Sequence, residues 1–141
     1  MFDTLRLGAL LLARIGIGAI FLFHGIQKFT TTGIAGVATF FESVGVPLPG
    51  VAAPGVAALE VVGGIALILG AALPVFGTLL ALDMIGAIVF VHGMNGFVVE
   101  NGGFEFVLAL AAGSLAVGFG GGGAFAVDGM LRQRRRQRAM A

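Results

Sequence analysis

Apolar residues dominate four stretches of the chain, at about residues 7–29, 53–73, 75–95 and 104–120, and polar or turn-forming residues gather between them. Each stretch is near the roughly 20 residues a helix needs to cross a hydrocarbon core about 30 Å thick. In lipid such a segment is helical, because a helix satisfies its own backbone groups. The pattern therefore predicts an all-α fold, an integral membrane four-helix bundle. The first stretch begins like a signal peptide, with Arg6 before an apolar run. It is too long for one, however, and ends in His24, Gly25, Gln27 and Lys28 without a small-residue cleavage site, so it is read as a retained helix.

The connections differ in character. Between the second and third stretches lies a tight turn from Gly70 to Pro74, where Gly ends one helix and Pro opens the next. A short segment around residues 95–103 joins the third to the fourth. The longest connection, about residues 30–52, carries Val37, Phe40, Phe41 and Val44 at helical spacing before Pro47 and Pro49 break it. That spacing suggests a short interfacial helix on the membrane surface between helices 1 and 2, with an irregular loop as the alternative.

Charge sharpens this picture. Charged residues make up 11% of the chain, against about 25% in soluble domains, so water is not its main solvent. The net charge of +1 hides an asymmetry: Arg132, Arg134, Arg135, Arg136 and Arg138 crowd the end of the chain. Residues 1–131 read as one transmembrane domain and 132–141 as a basic tail. Together with Arg6, that tail places both termini in the cytoplasm. It suits anionic lipid and is too short and tethered to suggest nucleic acid. The absence of cysteine excludes disulfides, thiol redox chemistry and cysteine metal sites.

Ionisable residues inside spans are costly and are candidate functional groups by default. Counted along the helices at about 1.5 Å per residue, Arg14 and Asp83 fall at a similar depth, about 10–12 Å from the cytoplasmic side. They are expected to form a structural ion pair between the first and third spans. His24, Lys28, Glu60, His92 and Glu105 gather in the outer part of the bilayer, with Glu60 deepest at about 20 Å. Such a cluster could hydrogen-bond a quinone headgroup and exchange protons with it, or form an internally paired network that holds the bundle. Its spacing carries no metal-ligand signature, so no metal is assigned. Gly16, Gly18 and Gly25 in the first span and Gly63 and Gly64 in the second are read as close helix contacts. Residues 120–123 lack the lysine and strand of a phosphate loop and read as the exit from the last span.

Several runs, in this order, resemble the DoxX family of small bacterial and archaeal membrane proteins. They are Arg14-Ile-Gly16 through Phe21-Leu-Phe-His24-Gly25-Ile-Gln-Lys28-Phe29; Phe40-Phe41-Glu42-Ser43-Val44-Gly45-Val46-Pro47; Glu60-Val-Val-Gly63-Gly64; His92-Gly-Met-Asn95-Gly96-Phe97; and Gly102-Gly103-Phe104-Glu105. The glycine-rich stretch leading to Asp128 is similar to the family's closing segment. One departure is the stretch after the central turn, Leu73-Pro74-Val75-Phe76-Gly77, which lacks the family's frequent arginine. The resemblance implies a multi-pass protein of the bacterial plasma membrane, working beside quinol oxidation, thiosulfate:quinone oxidoreduction or a membrane redox complex.

The expectation is a small membrane subunit of an oxidoreductase or redox-homeostasis complex, binding quinone at the polar cluster with no covalently bound cofactor. Its partners would be the lipid bilayer, redox-complex subunits and further copies of itself. Two histidines cannot supply a respiratory haem set, so electron transfer would need another subunit or a quinone. The alternatives are an oligomeric small-solute transporter or channel, and a non-catalytic membrane adapter.

Overall fold

A computed structural model describes residues 1–140, in which six α-helices are formed. They are α1 (Phe2–Thr30), α2 (Ile34–Ser43), α3 (Pro49–Leu69), α4 (Leu73–Ala87), α5 (Glu105–Phe119) and α6 (Val127–Ala139). Beyond Ala87, α4 continues through a π-helical turn, Ile88–His92, and a 3-10 turn, Gly93–Asn95. The segments Phe2–Thr30, Pro49–Leu69 and Leu73–Asn95 are long and apolar enough to cross a membrane, and α5 is a shorter apolar helix. The bundle is α1, α3, α4 and α5; α2 is the helix foreseen between the first two spans, and it packs on α3 with Val37 buried.

Both helices of the α3–α4 hairpin start earlier than the hydropathy suggests. Pro49 sits in the first turn of α3, where a missing N–H is harmless. At the turn, Gly70 takes φ +71° and closes α3 with a Schellman motif: Ala71 N–H donates to Ala66 O (2.9 Å) and Gly70 N–H to Leu67 O (3.1 Å). The third span therefore begins at Leu73, with Pro74 in its first turn.

Small residues set the packing. A Cβ on Gly18 would lie 2.7 Å from the Gly64 carbonyl, and one on Gly64 would lie 2.7 Å from the Gly18 carbonyl, so α1 and α3 touch backbone to backbone. On the other side, a Cβ on Gly77 would fall 2.6 Å from Ser114 O and 2.8 Å from the Gly118 Cα, which draws α4 onto α5. Between helices in lipid such contacts take the place of the hydrophobic effect. Gly25 and Gly63 also serve contacts, whereas Gly16 faces open space and makes none. The bundle is thus two tight pairs, α1–α3 and α4–α5, packed more loosely against each other.

The 15 residues of α5 span only about 22 Å, short of a hydrocarbon core. Irregular backbone at both of its ends must then lie at membrane depth, which is tolerated only where protein groups satisfy it. At the end that carries the termini, the Arg14 guanidinium donates to Gly122 O (2.9 Å) and Ala124 O (2.8 Å), while Ala124 N–H donates to Leu7 O (3.1 Å). The Asp128 carboxylate accepts from Ala72 N–H and Leu73 N–H, both at 2.9 Å. These bonds stitch residues 120–128 across the base of the bundle. From Met130 onward α6, with its five arginines, is exposed.

The expected Arg14–Asp83 ion pair is corrected by this arrangement. Gly18 meets Gly64 and Ile68, so Arg14, one turn earlier on α1, is level with the α3–α4 turn and touches Gly70. Asp83 stands ten residues into α4, about 15 Å away along the axis. Arg14 instead serves the carbonyls of the closing loop.

Candidate functional site

Because the two helix pairs are close-packed within themselves but not against each other, space remains between them in the half of the bundle far from the termini. It forms a cavity of about 490 Å³ lined from five helices, within the roughly 300–1,000 Å³ typical of ligand pockets. Its walls are mostly apolar, with Phe21, Phe41, Phe90 and Phe106 among them. Its polar groups are His24, Lys28, Glu60, Asp83 and His92.

Glu60 is brought there by Gly25. A Cβ on Gly25 would meet Val61 N at 2.7 Å and the Glu60 Cβ at 3.0 Å, so α3 presses against α1 at this level. Lys28 is three residues farther along α1, on the same face. Its Nζ lies 2.6 Å from Glu60 Oε2, the only ion pair among the described residues. The Glu60 side chain is 5% exposed and that of Lys28 22%, so the pair is largely buried at the cavity wall.

Asp83 reaches the same place from α4. It lies beside Glu60 and within electrostatic reach of Lys28. One of its carboxylate oxygens is buried with no hydrogen-bond partner among the described residues. The site therefore holds two carboxylates and one ammonium, with one acceptor unfilled in the buried wall of the cavity. The hairpin carries a signal for this that the depth count overlooked. Glu60 lies ten residues before Gly70 and Asp83 eleven after Ala72, and residues equidistant from a tight antiparallel turn share a height.

His92 ends the π turn, where one extra residue per turn re-aims the side chains that follow. Its Nδ1 lies 2.7 Å from the Gly102 carbonyl. A carbonyl can only accept, so Nδ1 carries a hydrogen, and Nε2 is the ring nitrogen left without a partner among the described residues. Asn95 Nδ2 donates to the same carbonyl at 3.3 Å. His24 is exposed at the cavity wall, with its ring edge-on to Phe23 at 5.7 Å.

Four of the five predicted cluster residues thus line one cavity, and Asp83 joins them. Glu105 does not. Its Oε1 accepts from Val99 N–H at 2.6 Å, and it stands at the first position of α5. A carboxylate there complements both a free backbone donor and the helix dipole. It shapes residues 96–104, the second irregular segment flanking α5, which Phe104 N–H→Gly96 O (3.1 Å) and Glu105 N–H→Phe97 O (2.9 Å) also hold. No three His, Asp or Glu side chains converge as metal ligands among the described residues.

The sequence profile of the DoxX family matches residues 9–93, a range that contains Arg14, His24, Lys28, Glu60, Asp83 and His92. A Bacillus subtilis (strain 168) protein described as "Putative oxidoreductase CatD" is 38% identical over 117 residues, which covers 83% of this chain and 83% of the relative. No solved structure matches the chain. With its multi-pass bundle and the family profile running through the first three spans, this chain belongs to the DoxX family.

Proposed function

We propose that the chain is a membrane subunit of an oxidoreductase complex, that its cavity binds a quinone headgroup, and that both termini lie in the cytoplasm. The observation that carries the reading is the unpartnered Asp83 oxygen beside the Lys28–Glu60 pair inside an otherwise apolar, aromatic-lined cavity. A buried acceptor without a donor is costly; the hydroxyl of a reduced ring, a quinol, supplies that donor, while the oxygens of the oxidised ring can accept from Lys28. The similarity to a relative named as an oxidoreductase supports the same reading.

In this reading the quinone supplies the redox chemistry when bound, and electrons reach it from a partner subunit. The residues of this chain orient the ring and handle its protons. Lys28 keeps ammonium hydrogens free beyond the one directed at Glu60 and can donate to a ring oxygen. Asp83 and Glu60, side by side with the Lys28 ammonium on Glu60, form a carboxylate pair able to share a proton and exchange it with a ring hydroxyl. His92 offers Nε2 as acceptor at the far end. The arginine-rich α6 and Arg6 orient the bundle by the excess of basic residues on one side.

Photolabelling of the purified protein in lipid nanodiscs with an azido-quinone, followed by peptide mapping, tests this reading. Adducts on the cavity-facing residues of α4 and α5, competed by unlabelled quinone, are expected. Adducts scattered over the lipid-facing surface with no competition would count against it.

A further inference from the structure

The seam between α1 and α5 follows a seven-residue register. A Cβ on Gly120 would meet Leu10 Cδ2 at 3.0 Å, and one on Gly113 would meet Ile17 Cδ1 at 2.7 Å. The helices are antiparallel, so the next step pairs His24 of α1 with Phe106 of α5. In the first two steps a glycine on α5 admits the α1 side chain and the seam closes. At the third, Phe106 stands where a glycine would be needed for the same close approach, and two ring-bearing side chains hold the helices farther apart. Both residues line the cavity and both are exposed, Phe106 at 42%.

The geometry points to a lateral window between α1 and α5, flanked by His24 and Phe106, through which the hydrocarbon chain of a membrane-dissolved quinone leaves the cavity for the lipid. This inference rests on the quinone reading above and narrows its ligand to long-chain quinones that enter sideways from the bilayer. Polar groups of the cavity hold the ring, while Phe106 and the apolar walls guide the first units of the chain. His24, at the rim, is the positioning residue that meets the ring as it passes.

The cysteine-free chain allows a direct test. Phe106→Cys is labelled with a bulky maleimide, and Leu108→Cys, on the exposed surface of α5 outside the cavity, is labelled as control. Binding of tail-less dimethoxy-methyl-benzoquinone and of its decaprenyl homologue is then measured in nanodiscs. The label at position 106 is expected to weaken the long-chain quinone at least tenfold and the tail-less ring less than twofold, while the label at 108 changes neither. Unaltered long-chain binding, or equal loss of both ligands, would overturn the window and leave the headgroup site standing. If neither quinone binds the unlabelled protein, the headgroup reading falls and the window falls with it.

Discussion

Lys28 of α1 and Glu60 of α3 meet at 2.6 Å because Gly25, three residues before the lysine, lets the backbone of α3 press against α1. The pair is a consequence of helix packing and also the fixed part of a polar site. Breaking one side of a buried pair leaves an uncompensated charge, whereas removing both can be close to neutral.

Lys28→Met is therefore expected to lower stability by about 2–3 kcal/mol, the low end for such pairs because the lysine keeps some exposure. Adding Glu60→Leu should recover part of that loss. Thermal unfolding in detergent of both single variants and the double variant measures this. Losses that simply add would show that the two groups do not interact.

Arg14 has a different task. Its two charged hydrogen bonds to Gly122 and Ala124 hold the closing loop, and each such bond contributes about 1.5–3 kcal/mol. Arg14→Met should destabilise the bundle by roughly 3 kcal/mol or more, with Arg14→Lys in between. Because Arg14 and Asp83 do not touch, Arg14→Met and Asp83→Asn should be additive within about 0.5 kcal/mol. A larger coupling in a double-mutant cycle would restore the ion pair.

Glycines in the two paired helices, Gly64 of α3 and Gly16 of α1, should respond oppositely. Gly64→Ala forces a methyl into the α1 backbone at 2.7 Å, whereas Gly16→Ala meets open space. The first is expected to destabilise. The second should be neutral or stabilising by up to about 1 kcal/mol, from helix propensity alone. Melting temperatures in one detergent decide the matter.

His92 anchors residues 96–104 through the Gly102 carbonyl. His92→Phe removes that donor and should raise hydrogen exchange across this segment, while His92→Gln, which retains an N–H, should restore much of the protection. Identical exchange in both variants would mean that Asn95 alone holds the carbonyl.

Much of the fold is written in hydropathy. Four apolar runs become four bundle helices, Gly70 and Pro74 mark the hairpin, and Val37, Phe40 and Phe41 reveal α2. The less legible parts depend on azimuth and on irregular backbone. Depth along a helix follows from counting residues, but the direction of a side chain around the axis depends on which partner packs beside it. Counting therefore paired Arg14 with Asp83. It could not show that a short α5 leaves carbonyls for Arg14 to satisfy, or a backbone N–H for Glu105. The π turn before His92 adds a residue to the helix without any local sequence signature, so its side-chain direction also escapes periodicity.

The most direct test of the proposed site is equilibrium binding of the tail-less dimethoxy-methyl-hydroquinone, kept reduced, to the protein in nanodiscs, by calorimetry, for the native chain, Asp83→Asn and Glu60→Gln. The proposed site predicts saturable binding to the native chain and at least tenfold weaker binding to each variant, about 1.4 kcal/mol or more, with all three proteins equally monodisperse. Equal affinity in all three, or no saturable binding to the native chain, would contradict it.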